Sequence, residues 1–255
     1  MKLIDTHTHL YLKEFKEDID AVIMDALANK VEKFFLPGID STTIDDLLQL
    51  EANYPDNCFA MMGLHPCSVK QDYEKELTII KEWLDKRTFC AIGEIGLDLY
   101  WDTTFKQEQF DCFNLQMELA LEKNLPIVIH CRNAMRETID TVKPFAEKGL
   151  KGIFHCFGGT IKEANEIIEM GFLLGIGGVV TYKKSGLDEV LKHIDLKHIV
   201  LETDSPYLTP VPYRGKRNVS AYIKIIAEKV AEIKNCTIEE VAEVTTENVI
   251  KIFKL

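Results

Sequence analysis

The chain has 255 residues, 46% of them hydrophobic and 28% charged, and its 41 acidic against 30 basic side chains give a formal net charge of −11. That composition suits an ordinary globular protein with a sizeable core, and the length suits one α/β barrel of roughly 250 residues. A protein that coats nucleic acid or an anionic membrane with its whole surface should be basic, so the acidic balance excludes that mode and leaves only a local cationic site. Seven cysteines form no C-x-x-C pair, and several lie in apolar runs such as Phe89-Cys90-Ala91. Reduced thiols acting as small hydrophobes are expected. The start, Met1-Lys2-Leu3-Ile4-Asp5-Thr6-His7, reaches acid and histidine before any run able to act as a signal peptide. No stretch approaches the roughly 20 apolar residues of a membrane span. A cytoplasmic protein with no membrane partner is the expectation.

In chain order, β-branched or apolar runs predict strands over 3–9, 33–39, 58–65, 90–97, 126–131, 152–156, 172–180 and 199–203. Most are continuously hydrophobic rather than alternating, as parallel strands buried on both faces are. Helical periodicity fills the gaps, over 42–53, 73–85, 105–123, 135–147, 161–170, 220–234 and 238–253. In 105–123, for example, Phe110, Phe113, Met117, Ala120 and Leu121 form one stripe. About eight βα units with no linker or low-complexity tract predict a single (β/α)8 TIM barrel domain spanning 1–255. A doubly wound open sheet is the alternative. The phosphate-binding glycine loop that often marks it is missing, because Gly175-Ile176-Gly177-Gly178 is followed by Val180 where the last glycine should stand. Those glycines read as close-packed strand backbone.

The polar residues of these strands gather at their C-terminal ends, where barrel active sites form. His7 and His9 end the first strand and, two apart, should share a face suited to chelating one divalent ion. His65 ends the third, Glu94 lies in the fourth, His130 ends the fifth, His155 the sixth, and Asp204 the eighth. Five of the seven histidines therefore lie at strand ends; His193 and His198 read as polar loop residues. Each such group would need a buried partner by itself, and a metal serves several at once. Four imidazoles with Glu94 and Asp204 exceed one tetrahedral ion and suit two, with a central carboxylate able to bridge them. No H-E-x-x-H helix, G-x-S-x-G elbow or Walker loop offers another hydrolytic design.

At this point the sequence resembles the TatD family of metal-dependent deoxyribonucleases, within the amidohydrolase superfamily. The matching stretches are Ile4-Asp5-Thr6-His7-Thr8-His9-Leu10, Gly63-Leu64-His65-Pro66 and Ile92-Gly93-Glu94-Ile95-Gly96-Leu97-Asp98. Leu125-Pro126-Ile127-Val128-Ile129-His130-Cys131-Arg132, His155-Cys156-Phe157-Gly158-Gly159 and Leu201-Glu202-Thr203-Asp204-Ser205-Pro206-Tyr207-Leu208 complete the set. The family's basic stretch is present as Arg214-Gly215-Lys216-Arg217-Asn218, but Val219-Ser220 stands where Glu-Pro is usual. The resemblance implies that His7, His9, Glu94 and Asp204 hold one ion and Glu94, His130 and His155 a second. It implies that Asp204 orients or deprotonates the attacking water, or is a pure ligand, and that His65 contacts a phosphate. Glu202 and Asp5 are expected behind the ligands, Asp5 orienting an imidazole.

Arg132, Lys183, Lys184, Arg214, Lys216 and Arg217 are expected to make a positive funnel at the mouth, with Arg132 and Arg217 on substrate phosphates and Tyr207 or Tyr213 free to stack on a base. The leading expectation is an exonuclease acting on a DNA strand end with two divalent ions. Imidazoles favour zinc, manganese or nickel by affinity, while phosphate chemistry often uses magnesium. The alternatives are an ester or amide hydrolase with the same site, such as a deacylase of mischarged (D-aminoacyl) tRNA, and a barrel serving as an interaction scaffold.

Overall fold

The computed structural model describes residues 1–255. Eight parallel strands alternate with helices: β1 (Leu3–Asp5), α1 (Ile19–Ala28), β2 (Val31–Leu36), α2 (Ile44–Asn53), β3 (Cys58–Ala60), α3 (Tyr73–Lys86), β4 (Ile92–Asp98) and α4 (Lys106–Lys123) make the first half. The second half is β5 (Ile127–Arg132), α5 (Met135–Ala146), β6 (Gly152–Phe154), α6 (Ile161–Glu169), β7 (Leu173–Ile176), α7 (Leu187–Lys192), β8 (Ile199–Leu201), α8 (Ile223–Lys234) and α9 (Ile238–Phe253). Regular ladders join β1 to β3 and β4 to β8 in sequence order. Two isolated parallel bridges, Met62 with Ile92 and Thr8 with Ser205, close the two seams. The result is the expected (β/α)8 barrel.

Packing follows from the strand sequences. Ile4, Phe35, Met61, Ala91, Val128, Ile153 and Val200 meet in a compact cluster inside the barrel, floored by Val249 and Phe253 of α9. Their neighbours along the strands, among them Leu3, Phe34, Leu36, Ile127, Ile129 and Leu201, join the larger core under the helices. Strands buried on both sides explain the continuous apolar runs. Helix ends carry local signals too. Thr160 and Glu163 form a reciprocal capping box at the start of α6, and Asn124 and Asn235 end α4 and α8 in the left-handed conformation.

The differences from the predicted elements have physical causes. Helices α1 and α7 were not predicted: α1, Ile-Asp-Ala-Val-Ile-Met-Asp-Ala-Leu-Ala, is apolar almost all round, and α7 has six residues. The first strand ends at Asp5 instead of His9, and the seventh ends at Ile176 before a short 3-10 turn over Gly178–Thr181. Gly175 is close-packed as expected; a Cβ there would lie 2.3 Å from Glu202 Oε2. No helix is long and apolar enough to cross a membrane.

Candidate metal centre

Glu94 is the hub. Its carboxylate is buried, with Oε2 3.0 Å from His7 Nε2 and 3.5 Å from His9 Nε2. The other oxygen, Oε1, lies 2.7 Å from His130 Nδ1, 3.4 Å from His65 Nε2 and 3.6 Å from His155 Nε2. Asp204 Oδ1 stands on the first side, 3.8 Å from His7 Nε2 and 3.6 Å from His9 Nε2. The structure thus brings all six expected ligands and His65 together at the barrel mouth.

Two routes deliver these side chains. On β5, β6 and β8, simple alternation from the interior residues Val128, Ile153 and Val200 carries His130, His155 and Asp204 inward. On β1 and β4 it does not, because Ile4 and Ala91 are interior and the opposite parity should prevail. The backbone bends at Thr6 and His7 beyond the end of β1, and the β4–β5 register shifts between Ile92 and Ile95. Such irregularities re-aim side chains next to functional sites. Gly96 makes the tight pairing after the shift possible: its φ is +143° and a Cβ would lie 2.0 Å from the His130 carbonyl oxygen. Asn133, Cys156 and Asp204, just past β5, β6 and β8, all have left-handed φ near +50° (54°, 48° and 55°). Non-glycine residues adopt that conformation at a cost of about 1–3 kcal/mol, and it clusters at functional sites.

Further groups fix the imidazoles. The Tyr11 hydroxyl donates to the Pro37 carbonyl at 2.5 Å, so it accepts from His9 Nδ1 at 3.0 Å and leaves Nε2 of His9 as the lone pair facing Glu94 and Asp204. Glu202 Oε1 stands 3.0 Å from His155 Nδ1, off the line of a hydrogen bond, and accepts the Cys156 backbone N–H at 2.6 Å. Asp98 Oδ2 lies 2.9 Å from His130 Nε2. Sequence reasoning assigned Tyr11 and Asp98 no role. Their signals were available: Tyr11 is two residues beyond His9, and Asp98 closes the Glu94 motif at the strand end. Asp5 departs from its expected role. Its carboxylate accepts from Thr203 N at 2.9 Å and Thr203 Oγ1 at 2.6 Å, so it latches the end of β8 rather than an imidazole.

Charge is balanced by protons when no cation is present. Burial opposes the charged form of His155, but Glu202, Glu94 and Asp204 outweigh it and raise the imidazole to about 10. Burial holds His7 well below its ordinary value, helped by His155, whose ring stacks on it at 3.5 Å. Burial likewise opposes ionisation of Glu94, but the surrounding imidazoles keep its carboxyl well below the usual range. Buried carboxylates ringed by imidazole nitrogens, with donor atoms of His7, His9 and Glu94, of His7, His155 and Asp204, and of His65, Glu94 and His130 each within 4.8 Å, fit divalent cations in place of those protons.

The donors open into a cavity of about 1280 Å³ lined by Trp101, Arg132, Arg136, Thr160, Glu163 and Tyr207 among others. Arg132 is there as expected. Arg217 is not: it pairs with Asp18 at 2.6 Å, donates to the Glu14 carbonyl and lies over the Phe15 ring. Lys183, Lys184, Arg214 and Lys216 also lie outside the lining. Arg214 covers Tyr182, and Tyr213 stacks on Tyr222. The expected basic funnel is therefore narrow.

Comparison with known proteins agrees with this geometry. The TatD related DNase family matches residues 4–254. This chain belongs to the TatD family. Its relatives include YabD of Bacillus subtilis, an uncharacterised metal-dependent hydrolase 41% identical over 99% of both chains. A 3'-5' ssDNA/RNA exonuclease, TatD of Pectobacterium carotovorum, is 29% identical over 99% of this chain and 100% of its own. The crystal structure of YJJV, a TatD homologue from Escherichia coli, superposes with a TM-score of 0.94 at 26% identity, covering 99% of this chain and 98% of that one. Like its TatD relatives, the protein is a metal-dependent hydrolase.

Proposed function

We propose that the protein, acting as one hydrolase domain over its 255 residues, is an exonuclease that cleaves phosphodiester bonds at a DNA strand end. The observation that carries this reading is the division of Glu94, one oxygen toward His7 and His9 and the other toward His130, His65 and His155. A carboxylate so divided suits two cations, one with His7, His9, Glu94 and Asp204, the other with Glu94, His130 and His155. Two divalent ions, whether zinc, manganese, nickel or magnesium, would supply a water nucleophile at neutral pH and polarise a phosphoryl oxygen.

The chain's own groups supply the rest. Asp204 stands beside His7 and His9, with Oδ1 3.8 and 3.6 Å from their Nε2 atoms, a position from which a carboxylate could take the proton of an attacking water. Arg132 reaches the cavity with no carboxylate partner and is free to hold a phosphate by charge-assisted hydrogen bonds. A mouth floored by the barrel core admits a strand terminus more readily than a duplex interior. The exonuclease name of the Pectobacterium relative supports the same substrate class.

End-labelled single- and double-stranded DNA, incubated with each metal or with chelator beside a covalently closed circle, tests this reading. Linear strands should shorten progressively with metal, chelator should stop it, and the circle should survive. Cutting of the circle at the linear rate contradicts end-directed action. Intact DNA together with hydrolysis of an aminoacyl ester on tRNA would replace the reading with a deacylase.

A further inference from the structure

Two aromatic side chains stand exposed beside the metal donors with no structural task that requires it. Tyr100 is 56% and Trp101 67% exposed, and their rings meet edge to face at 5.0 Å. The Arg132 guanidinium lies over both, 4.4 Å from the Tyr100 ring and 5.0 Å from the Trp101 ring. Trp101 and Arg132 both line the cavity that holds Glu94, His130 and Asp204. An indole left mostly in water forgoes substantial burial energy, and a guanidinium lying over it is held beside an aromatic face that remains largely open.

The loop that carries the pair is tied to the metal donors. Asp98 Oδ1 accepts the backbone N–H groups of Tyr100 and Trp101, each at 3.0 Å, while its Oδ2 lies 2.9 Å from His130 Nε2. Gln109 pins Asp98 from behind, accepting its N–H at 2.9 Å and donating to its carbonyl at 3.1 Å. The Leu99 N–H bonds the Arg132 carbonyl at 2.9 Å, joining the loop to the end of β5. One carboxylate therefore sets both an imidazole of the site and the position of the aromatic lip. That is the arrangement expected of a group that must lie at a fixed distance from the reacting bond.

We propose that Tyr100, Trp101 and Arg132 form a nucleobase-stacking subsite, in which a base of a single strand lies on the Trp101 face while Arg132 takes the neighbouring phosphate. The inference rests on the nuclease reading and gives it a substrate form. A stacked base must be unpaired, so single strands are preferred over duplex. Every base has a π-face, so the subsite is tolerant of sequence. The 2'-hydroxyl plays no part in such stacking, so deoxyribose and ribose strands bind alike at this lip.

The test uses the chain's two tryptophans, Trp83 and Trp101. In a Trp83→Phe background, Trp101 is the only indole, and its fluorescence can be titrated with thymidine or uridine oligomers and with an abasic oligomer of equal length, in chelator. Both base-bearing oligomers should quench the emission and the abasic one should not. In competition with a dye-labelled oligomer, Trp101→Ala should bind about fivefold to a hundredfold more weakly, and Trp101→Phe should retain most of the affinity. With metal added, Trp101→Ala should raise KM for single-stranded DNA and leave kcat nearly unchanged. Equal binding and digestion by wild type and Trp101→Ala would overturn the subsite and leave the nuclease reading standing. Trp101-dependent binding by a wild type that cuts no nucleic acid would keep the subsite and overturn the nuclease reading. A wild type that neither binds nor cuts the oligomers overturns both.

Discussion

Arg132 ends β5 and Arg217 lies in the segment after β8, and their neighbours give them different work. Arg132 faces the donor cavity with aromatic rings and no carboxylate beside it, so Arg132→Ala should cost a charge-assisted phosphate contact of about 1.5–3 kcal/mol. Kinetics on single-stranded DNA should show that as a KM about tenfold to a hundredfold higher. Arg217 is engaged by both Asp18 oxygens, at 2.9 and 2.6 Å, near the surface. Arg217→Ala should leave KM unchanged and lower stability by at most about 1 kcal/mol after solvent screening. The sign with pH follows from Asp18, whose carboxyl is held low by the Arg217 hydrogen bonds. The pair contributes above the ordinary carboxylate value of about 4, and the contribution is lost as pH falls through the depressed one. Urea denaturation of wild type and Arg217→Ala should therefore differ at pH 7 and converge in acid. A rise in KM equal to that of Arg132→Ala would return Arg217 to the substrate.

At the scale of elements, the alternation of βα units and most strand cores were legible because parallel strands buried on both faces leave continuous apolar runs. The candidate donor types and the strands that bring them together were legible too, since histidine and acid at apolar strand ends are chemically conspicuous. The mechanism that turns them inward was only half legible. Alternation suffices for His130, His155 and Asp204, but His7, His9 and Glu94 reach the mouth through a bend and a register shift that no sequence period announces. Asp5 shows the same limit, since its partner Thr203 is 198 residues away. That latch joins β1 to the segment just past β8, across a seam also crossed by backbone hydrogen bonds from Thr6 N–H to the Leu201 carbonyl, Asp204 N–H to the His7 carbonyl and His9 N–H to the Ser205 carbonyl. Asp5→Ala leaves buried donors at Thr203 unpaired, so chemical denaturation should show a loss of about 1–3 kcal/mol or more. A loss within 0.5 kcal/mol, the range of about what surface changes cost, would show that the seam does not depend on it.

Across the whole molecule, the proposed reading has a net charge of −11 meeting a polyanionic substrate through a small positive window. Of the two arginines lining the cavity, Arg136 is already paired with Asp140 and Glu166, which leaves Arg132 and the proposed cations. Composition foretold the acidic surface. The narrowness of the window depends on folded partners such as Asp18 and Tyr182, which lie far from their basic neighbours in sequence. One or two phosphate contacts by the chain should give a shallow dependence, with log KM rising by about 0.7–1.4 per decade of monovalent salt on single strands. A slope of several units would indicate a broad basic surface instead. The central claim is that Glu94 joins two cation sites. Its most direct test is metal content by elemental analysis of wild type and Glu94→Ala loaded with manganese, alongside turnover and circular dichroism. Two ions per wild-type chain are expected, with metal and turnover lost together in a variant that keeps its fold. One ion per wild-type chain, or Glu94→Ala with full metal content and full activity, would contradict it.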